Sequence, residues 1–263
     1  MGRADPHIHT LASDGISTVA EVLDAAVAAG LDVIAVTDHE RIDAAVAAQK
    51  MAVARALPLE VIVGEEISTR GGHLVGLFMT ERIRPWYSLR TSVARIHEQG
   101  GLAIIAHPLV PYPLCASARS IRSLLDDADP IYHPDAIEAF NPTTAGMRWT
   151  RTLPDFIDEI GRAAVGGSDA HRASNVGRAL TTFPGSTAED LRRAITARET
   201  GWEGTLYPLR SQLVMFRAQL GKNARALRDD VRGKLLRDGT GRDLGYPGGR
   251  QRPARFDEGG TDR

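Results

Sequence analysis

Short apolar runs at 32–36, 61–67, 73–78, 102–106, 136–140 and 163–166 alternate with stretches whose apolar residues recur at helical spacing. That alternation predicts repeated βα units and a parallel sheet, with a further strand near Ile8 at the start. Two helix starts read as capping boxes, Thr18-Val19-Ala20-Glu21 and Ser186-Thr187-Ala188-Glu189, in which a hydroxyl and a carboxylate satisfy free first-turn amides. Gly30, Gly100 and Gly201 fall where helices should stop, since glycine accepts the left-handed conformation of a helix end. So many units in this length favour a closed or nearly closed barrel, with an open doubly wound sheet as the alternative.

The pattern changes at the C-terminal end. Leu209, Leu213, Phe216, Leu220, Leu227, Val231 and Leu235 follow helical spacing, with Arg and Lys on other positions. A basic amphipathic helix is therefore expected over 206–238. It either packs on the barrel or touches nucleic acid or anionic lipid. After Asp238 apolar residues become sparse and Gly, Arg and Asp increase, so 239–263 is expected to be a disordered tail.

Composition narrows the chemistry. The 263 residues carry a formal net charge of -1, so the strong positive field of a protein gripping a long nucleic-acid duplex is missing, while a short anionic substrate held locally remains compatible. Cys115 is the only cysteine, which excludes an internal disulfide and cysteine-based zinc motifs. Any metal must be held by nitrogen and oxygen. The first chemical motif begins at Asp5 and no apolar run approaches the roughly 20 residues of a membrane span, which reads as a cytoplasmic protein.

Six of the eight histidines, His7, His9, His39, His73, His107 and His171, lie in or at the ends of predicted strands. His97 and His133 fall on a predicted helix and in a proline-flanked loop and read as surface and turn residues. On an extended strand, His7-Ile8-His9 points two imidazoles to one face, and Asp169-Ala170-His171 repeats the device with a carboxylate. Thr37-Asp38-His39, Glu65-Glu66 and Ala106-His107-Pro108 each follow an apolar strand. Strand ends of a βα barrel converge on one rim, which predicts a single basin of imidazoles and acids. Divalent cations would neutralise the acids and use the imidazole lone pairs. Six coincidentally placed structural histidines is the competing reading.

These segments resemble the PHP family, named for its polymerase and histidinol phosphatase members. The likeness is carried by Asp5-Pro6-His7-Ile8-His9-Thr10, Ser13-Asp14-Gly15, Thr37-Asp38-His39, Glu66, His73 in His73-Leu74-Val75-Gly76-Leu77, Ala106-His107-Pro108 and Gly167-Ser168-Asp169-Ala170-His171. It implies a distorted seven-stranded, TIM-like (β/α)7 barrel over 1–205, with the C-terminal helix as an extension. It also implies a trinuclear centre that hydrolyses phosphoesters through a metal-bound water. Carried over by position, His7, His9, Glu66 and Asp169 would hold one metal. Asp14, His39 and His171 would hold a second, and Glu66 would bridge to a third bound by His73 and His107. Strand alternation turns Glu65 the other way, and Asp14 can also be read as a turn acid before Gly15. Two or three manganese, iron or zinc ions suit these donors better than magnesium. Arg70, Arg172 and Arg178 lie beside the motifs and are candidate contacts for substrate phosphate or carboxylate.

Three functions follow. The first is a hydrolase of a small phosphorylated molecule, nucleotide or short oligoribonucleotide, toward which the Ser-Asp-Gly opening and Glu66-Ile67-Ser68-Thr69 incline the resemblance. The short 79–101 connection lacks the helical insertion common in that branch. The second is a histidinol-phosphate phosphatase, and the third is a non-catalytic PHP-type metal-binding module.

Overall fold

The computed structural model describes residues 1–207. Its elements are β1 (Gly2–Ile8), α1 (Val19–Ala28), β2 (Val33–Val36), α2 (Asp43–Ala54), β3 (Glu60–Thr69), β4 (Gly72–Leu77), α3 (Leu89–His97), β5 (Leu102–Ile105), α4 (Ala118–Leu125), β6 (Ala136–Phe140), α5 (Leu153–Ile160), β7 (Ala163–Gly166), β8 (Ala179–Phe183), α6 (Ala188–Ala197) and β9 (Gly201–Gly204). The tail segments 206–238 and 239–263 lie outside the described residues, except Leu206 and Tyr207, which are not helical.

Among the described residues nine strands form one sheet in the order β7-β6-β5-β4-β3-β2-β1-β8-β9, rather than the expected seven. The sheet curls until its ends nearly meet. A parallel bridge joins Ile8 to Ala170 just beyond β7, and Thr181 of β8 uses its hydroxyl to bond both the amide and the carbonyl of Gly166. The sheet is not all parallel either. β4 runs antiparallel to β3 and β5, while β8 is antiparallel to β1 and β9. The reason lies in the connection between β3 and β4, where Arg70 and Gly71 leave room only for a hairpin turn and not for a crossover helix. Reversal of β4 carries its first residues to the rim where β3 ends.

Alternation along the strands separates two apolar layers. Val33 and Ala35 face one cluster with Ala4, Ile62, Val75, Ile104, Ala136 and Val165, which Leu191, Ala194 and Ile195 of α6 join. Ile34 and Val36 turn to the other side, against Val22, Leu23 and Ala26 of α1 and Ala45, Ala48 and Ala52 of α2. The capping box of α1 is the expected one, Thr18 with Glu21. That of α6 is shifted by one residue to Thr187 and Asp190, because the sequence offers both spacings and the aspartate also accepts from the Ser186 amide. Gly30 and Gly100 take positive φ after α1 and α3, whereas Gly201 opens β9 and the left-handed end of α6 falls on Arg198. No helix among the described residues is long and apolar enough to cross a membrane.

Candidate metal centre

β1 ends in His7-Ile8-His9. Ile8 points into the outer apolar layer, so the two imidazoles turn inward together, their Nε2 atoms 3.2 Å apart. β3 contributes by the same alternation. Glu66 enters the basin while Glu65 turns away and accepts the Ile83 amide at 2.8 Å, as its expected orientation required. Antiparallel β4 brings His73 to this rim from the start of a strand. Its Nδ1 lies 2.9 Å from Glu66 Oε1, and His107, after β5, places Nε2 3.2 Å from the same oxygen. Glu66 Oε2 faces the other side, 3.3 Å from His7, 3.1 Å from His9 and 3.4 Å from His39. One carboxylate thus stands between two groups of imidazoles.

Asp169 Oδ1 lies 3.3 Å from His9 Nε2 and 3.7 Å from His7 Nε2, and Asp14 Oδ2 lies 2.8 Å from His171 Nε2 and 3.7 Å from His39 Nε2. All nine ligand positions expected from the sequence therefore meet in one basin. Three triads have donor atoms close enough to hold one ion each: His7, His9 and Glu66; His9, Asp14 and His171; and His39, Glu66 and His73. His39 lies 3.4 Å from Glu66 through Nδ1 and 3.7 Å from Asp14 through Nε2, within reach of both groups.

Gly15 makes the Asp14 turn possible, because a Cβ there would stand 2.7 Å from the His9 carbonyl oxygen. Asp38 anchors the same turn by accepting from Thr10 N at 2.8 Å, Thr10 Oγ1 at 2.6 Å and Ser13 N at 3.2 Å.

A second layer fixes the first, and sequence reasoning missed most of it. Glu138 Oε1 receives His7 Nδ1 at 3.0 Å, leaving Nε2 for the basin, and its Oε2 accepts the His107 amide at 2.7 Å and Asn141 Nδ2 at 2.9 Å. Asn141 and Thr143 both donate to Asp169 Oδ2 at 3.3 Å, which leaves Oδ1 facing His7 and His9. Buried Asp5 accepts the amides of Ser168 at 3.0 Å and Gly177 at 2.8 Å. Cys115 Sγ lies 3.4 Å from His107 Nδ1. An acid two positions into a predicted strand, as Glu138 is, was the one available signal. The arginines stand apart from this network. Arg70 is exposed, Arg172 and Arg178 are half-buried, and none has a hydrogen bond or ion pair with the cluster among the described residues. His97 is not a free surface residue, since it joins Asp135 at 2.9 Å and the Ile131 carbonyl at 2.7 Å.

Electrostatics match the donor set. Burial opposes charge on Glu66, yet His73, His39 and His7 hold its carboxyl well below the ordinary range, and histidines do the same for Asp169 and Asp14. Burial likewise opposes the His9 cation, but Asp169, Glu66 and Asp14 raise it to about 10. His39 goes the other way, lowered to about 4 by burial with the neighbouring His9 and His73 adding to it. Three ionised acids beside imidazoles are a poor arrangement in isolation and a good one around cations. Among the described residues His9 Nδ1 and His39 Nδ1 are buried without a hydrogen-bond partner, each facing a carboxylate, Asp14 at 3.5 Å and Glu66 at 3.4 Å, as nitrogens turned toward an ion would. The residues therefore fit a cluster of divalent metals. Asp14 and His39 are its most exposed members, at 27% and 25% of their side chains, so solvent reaches it from their side.

The fold and site define an α/β protein with a barrel-like sheet and a basin of imidazoles and carboxylates that could hold metal ions. The family comparison agrees: residues 5–114 match the PHP domain and residues 153–200 the PHP-associated region. Over 148 residues the chain is 34% identical to the uncharacterized protein MJ1587 of Methanocaldococcus jannaschii, covering 51% of this chain and 85% of that one. The chain belongs to the PHP family. It is also 42% identical over 81 residues to the 5'-3' exoribonuclease of Haemophilus influenzae, which covers 28% of this chain and 27% of that protein. Among solved structures, a two-domain protein from Bacteroides vulgatus containing a predicted PHP-like metal-dependent phosphoesterase superposes with a TM-score of 0.61 at 17% identity. That match covers 77% of this chain and 64% of the other, and it establishes the shared fold.

Proposed function

We propose that the protein is a metal-dependent phosphoesterase acting on a nucleotide or the end of a short oligoribonucleotide. The convergence of all nine donors around Glu66, with one side open to solvent, carries this reading. His7, His9, Glu66 and Asp169 would hold one ion, Asp14, His39 and His171 a second, and His73 and His107 a third beside Glu66. When bound, such ions act as Lewis acids toward phosphoryl oxygens and lower the pKa of water.

The protein's own groups preset that chemistry. Glu138 keeps the His7 tautomer with Nε2 inward, Asn141 and Thr143 fix the rotation of Asp169, and Asp38 holds the turn that presents Asp14. Arg172 follows His171 in the chain, and Arg70 lies in the β3–β4 turn three residues before His73. Both are proposed to meet substrate oxygens, as is Arg178. A complete donor set favours catalysis over a non-catalytic metal-binding module. Likeness to the Haemophilus exoribonuclease over 81 residues supports the nucleotide class over histidinol phosphate.

The test is hydrolysis by the manganese-loaded full chain of nucleoside monophosphates and bisphosphates, a short 5'-phosphorylated oligoribonucleotide and histidinol phosphate. Turnover of the nucleotide substrates is expected to drop by roughly 100-fold or more in His9→Ala and Asp169→Ala. Unchanged rates in both variants would remove the proposed centre from the reaction.

A further inference from the structure

Asp169 occupies a demanding piece of backbone. Its φ is +52°, a region that a non-glycine residue enters only where its surroundings hold it. Each carbonyl from Ser168 to His171 accepts a hydrogen bond. Asp169 O accepts from His171 Nδ1 at 2.9 Å, Ala170 O from His9 N at 2.9 Å and His171 O from Ile16 N at 2.8 Å. Those three donors belong to the site's own segments. The fourth does not: Ser168 O accepts from the Tyr207 hydroxyl.

Tyr207 lies outside both family-matched stretches, after β9, and is only 3% exposed. Ser168 is otherwise tied entirely to β1, its amide donating to Asp5 at 3.0 Å and its hydroxyl to the His7 carbonyl at 3.4 Å. The peptide leading into Asp169 is therefore clamped between β1 on one side and Tyr207 on the other. Burial, with Asp169, Asp5 and Glu138 adding to it, pushes the phenol up, so the hydroxyl stays a neutral donor.

We infer that Tyr207 is a positioning residue for the metal centre, whose hydroxyl holds the Ser168–Asp169 peptide so that the Asp169 carboxylate faces His7 and His9. The inference rests on the metal-holding role given above to Asp169. Outer hydrogen bonds to metal ligands commonly contribute roughly 10- to 100-fold in affinity; the Tyr207 bond acts one peptide further out, on the carbonyl that precedes Asp169, and Tyr207→Phe removes it while keeping the ring.

The experiment is a Mn2+ titration of the full chain, followed by electron paramagnetic resonance of the free ion, on the parent, Tyr207→Phe and Leu206→Ala. Leu206 belongs to the same segment and is exposed, so it reports on the segment without the hydroxyl. Tyr207→Phe is expected to weaken one Mn2+ by about tenfold or more and leave the remaining Mn2+ as in the parent, with Leu206→Ala matching the parent throughout. Melting of the chelated proteins separates folding from binding. A lower melting point for Tyr207→Phe with parental Mn2+ affinity would make the contact merely structural and overturn the inference. Equal loss in Leu206→Ala would overturn it as well, by tracing the effect to packing of the segment. If the parent itself takes up no Mn2+, the metal centre fails and the inference fails with it, an outcome distinct from the other two.

Discussion

Glu138 shows how a single side chain can decide the behaviour of several others. It receives His7 Nδ1, the His107 amide and the Asn141 amide group, and Asn141 in turn donates to Asp169. One carboxylate thus orients, directly or through Asn141, ligands at the ends of β1, β5 and β7. Replacing it with glutamine keeps the volume but puts an amide where a charged acceptor fixed the imidazole. Glu138→Gln is expected to lower metal affinity by about 10- to 100-fold, read by the same Mn2+ titration, while the melting point of the chelated protein changes little. Gly167 belongs to this contact. A Cβ there would overlap Glu138 Oε1 and come within 2.8 Å of His7 Cβ, so Gly167→Ala should destabilise the fold by about 1–3 kcal/mol in urea melts. The direct ligands were legible in the sequence because each sits in a short motif at a strand end. Glu138 and Asn141 were not, because their partners His7 and Asp169 lie 131 and 28 residues away and no local pattern announces such pairings.

At the scale of elements, the apolar runs revealed β2, β3 and β5 to β7 closely, since buried strands leave an unbroken apolar signature. Direction was less legible: a strand's sequence has the same apolar content whichever way it runs, and only the two-residue Arg70-Gly71 connection marks β4 as reversed. β8 and β9 were missed. β8 carries two threonines in five residues and β9 is Gly-Trp-Glu-Gly, mostly exposed, so neither reads as a buried run.

The loop before β6 also holds a titratable joint, which ties α3 to the start of β5 through His97 and Asp135. Burial opposes the His97 cation, but the Asp135 hydrogen bond and charge outweigh it and raise the imidazole above 6.5. A raised histidine binds its proton more tightly in the folded chain. Its contribution is therefore whole below about pH 6.5 and is lost as pH rises through the folded value. The melting-point difference between parent and His97→Gln should accordingly be larger at about pH 6 than at about pH 9. Equal differences at both pH values would show that the charge on His97 adds nothing.

For the whole molecule, the basin concentrates Glu66, Asp14 and Asp169 where little else neutralises them except partly protonated imidazoles. Cations that bind only the folded chain should stabilise it by mass action, about 2.7 kcal/mol per site at a hundredfold excess over Kd. Chelation is therefore expected to lower Tm and manganese to restore it, in a thermal scan with and without the ion. No change in Tm would contradict a centre that only the folded state can assemble.

The Ile8–Ala170 bridge adds a constraint in time. The barrel closes by joining its first strand to a segment made more than 160 residues later, and that late segment brings Asp169 and His171 with it. A growing polypeptide on the ribosome displays His7, His9 and Asp14 long before those partners exist. Capture of ions by the proposed full donor set would therefore have to wait until synthesis has passed His171, and loading would report that the first strand has met its late partner.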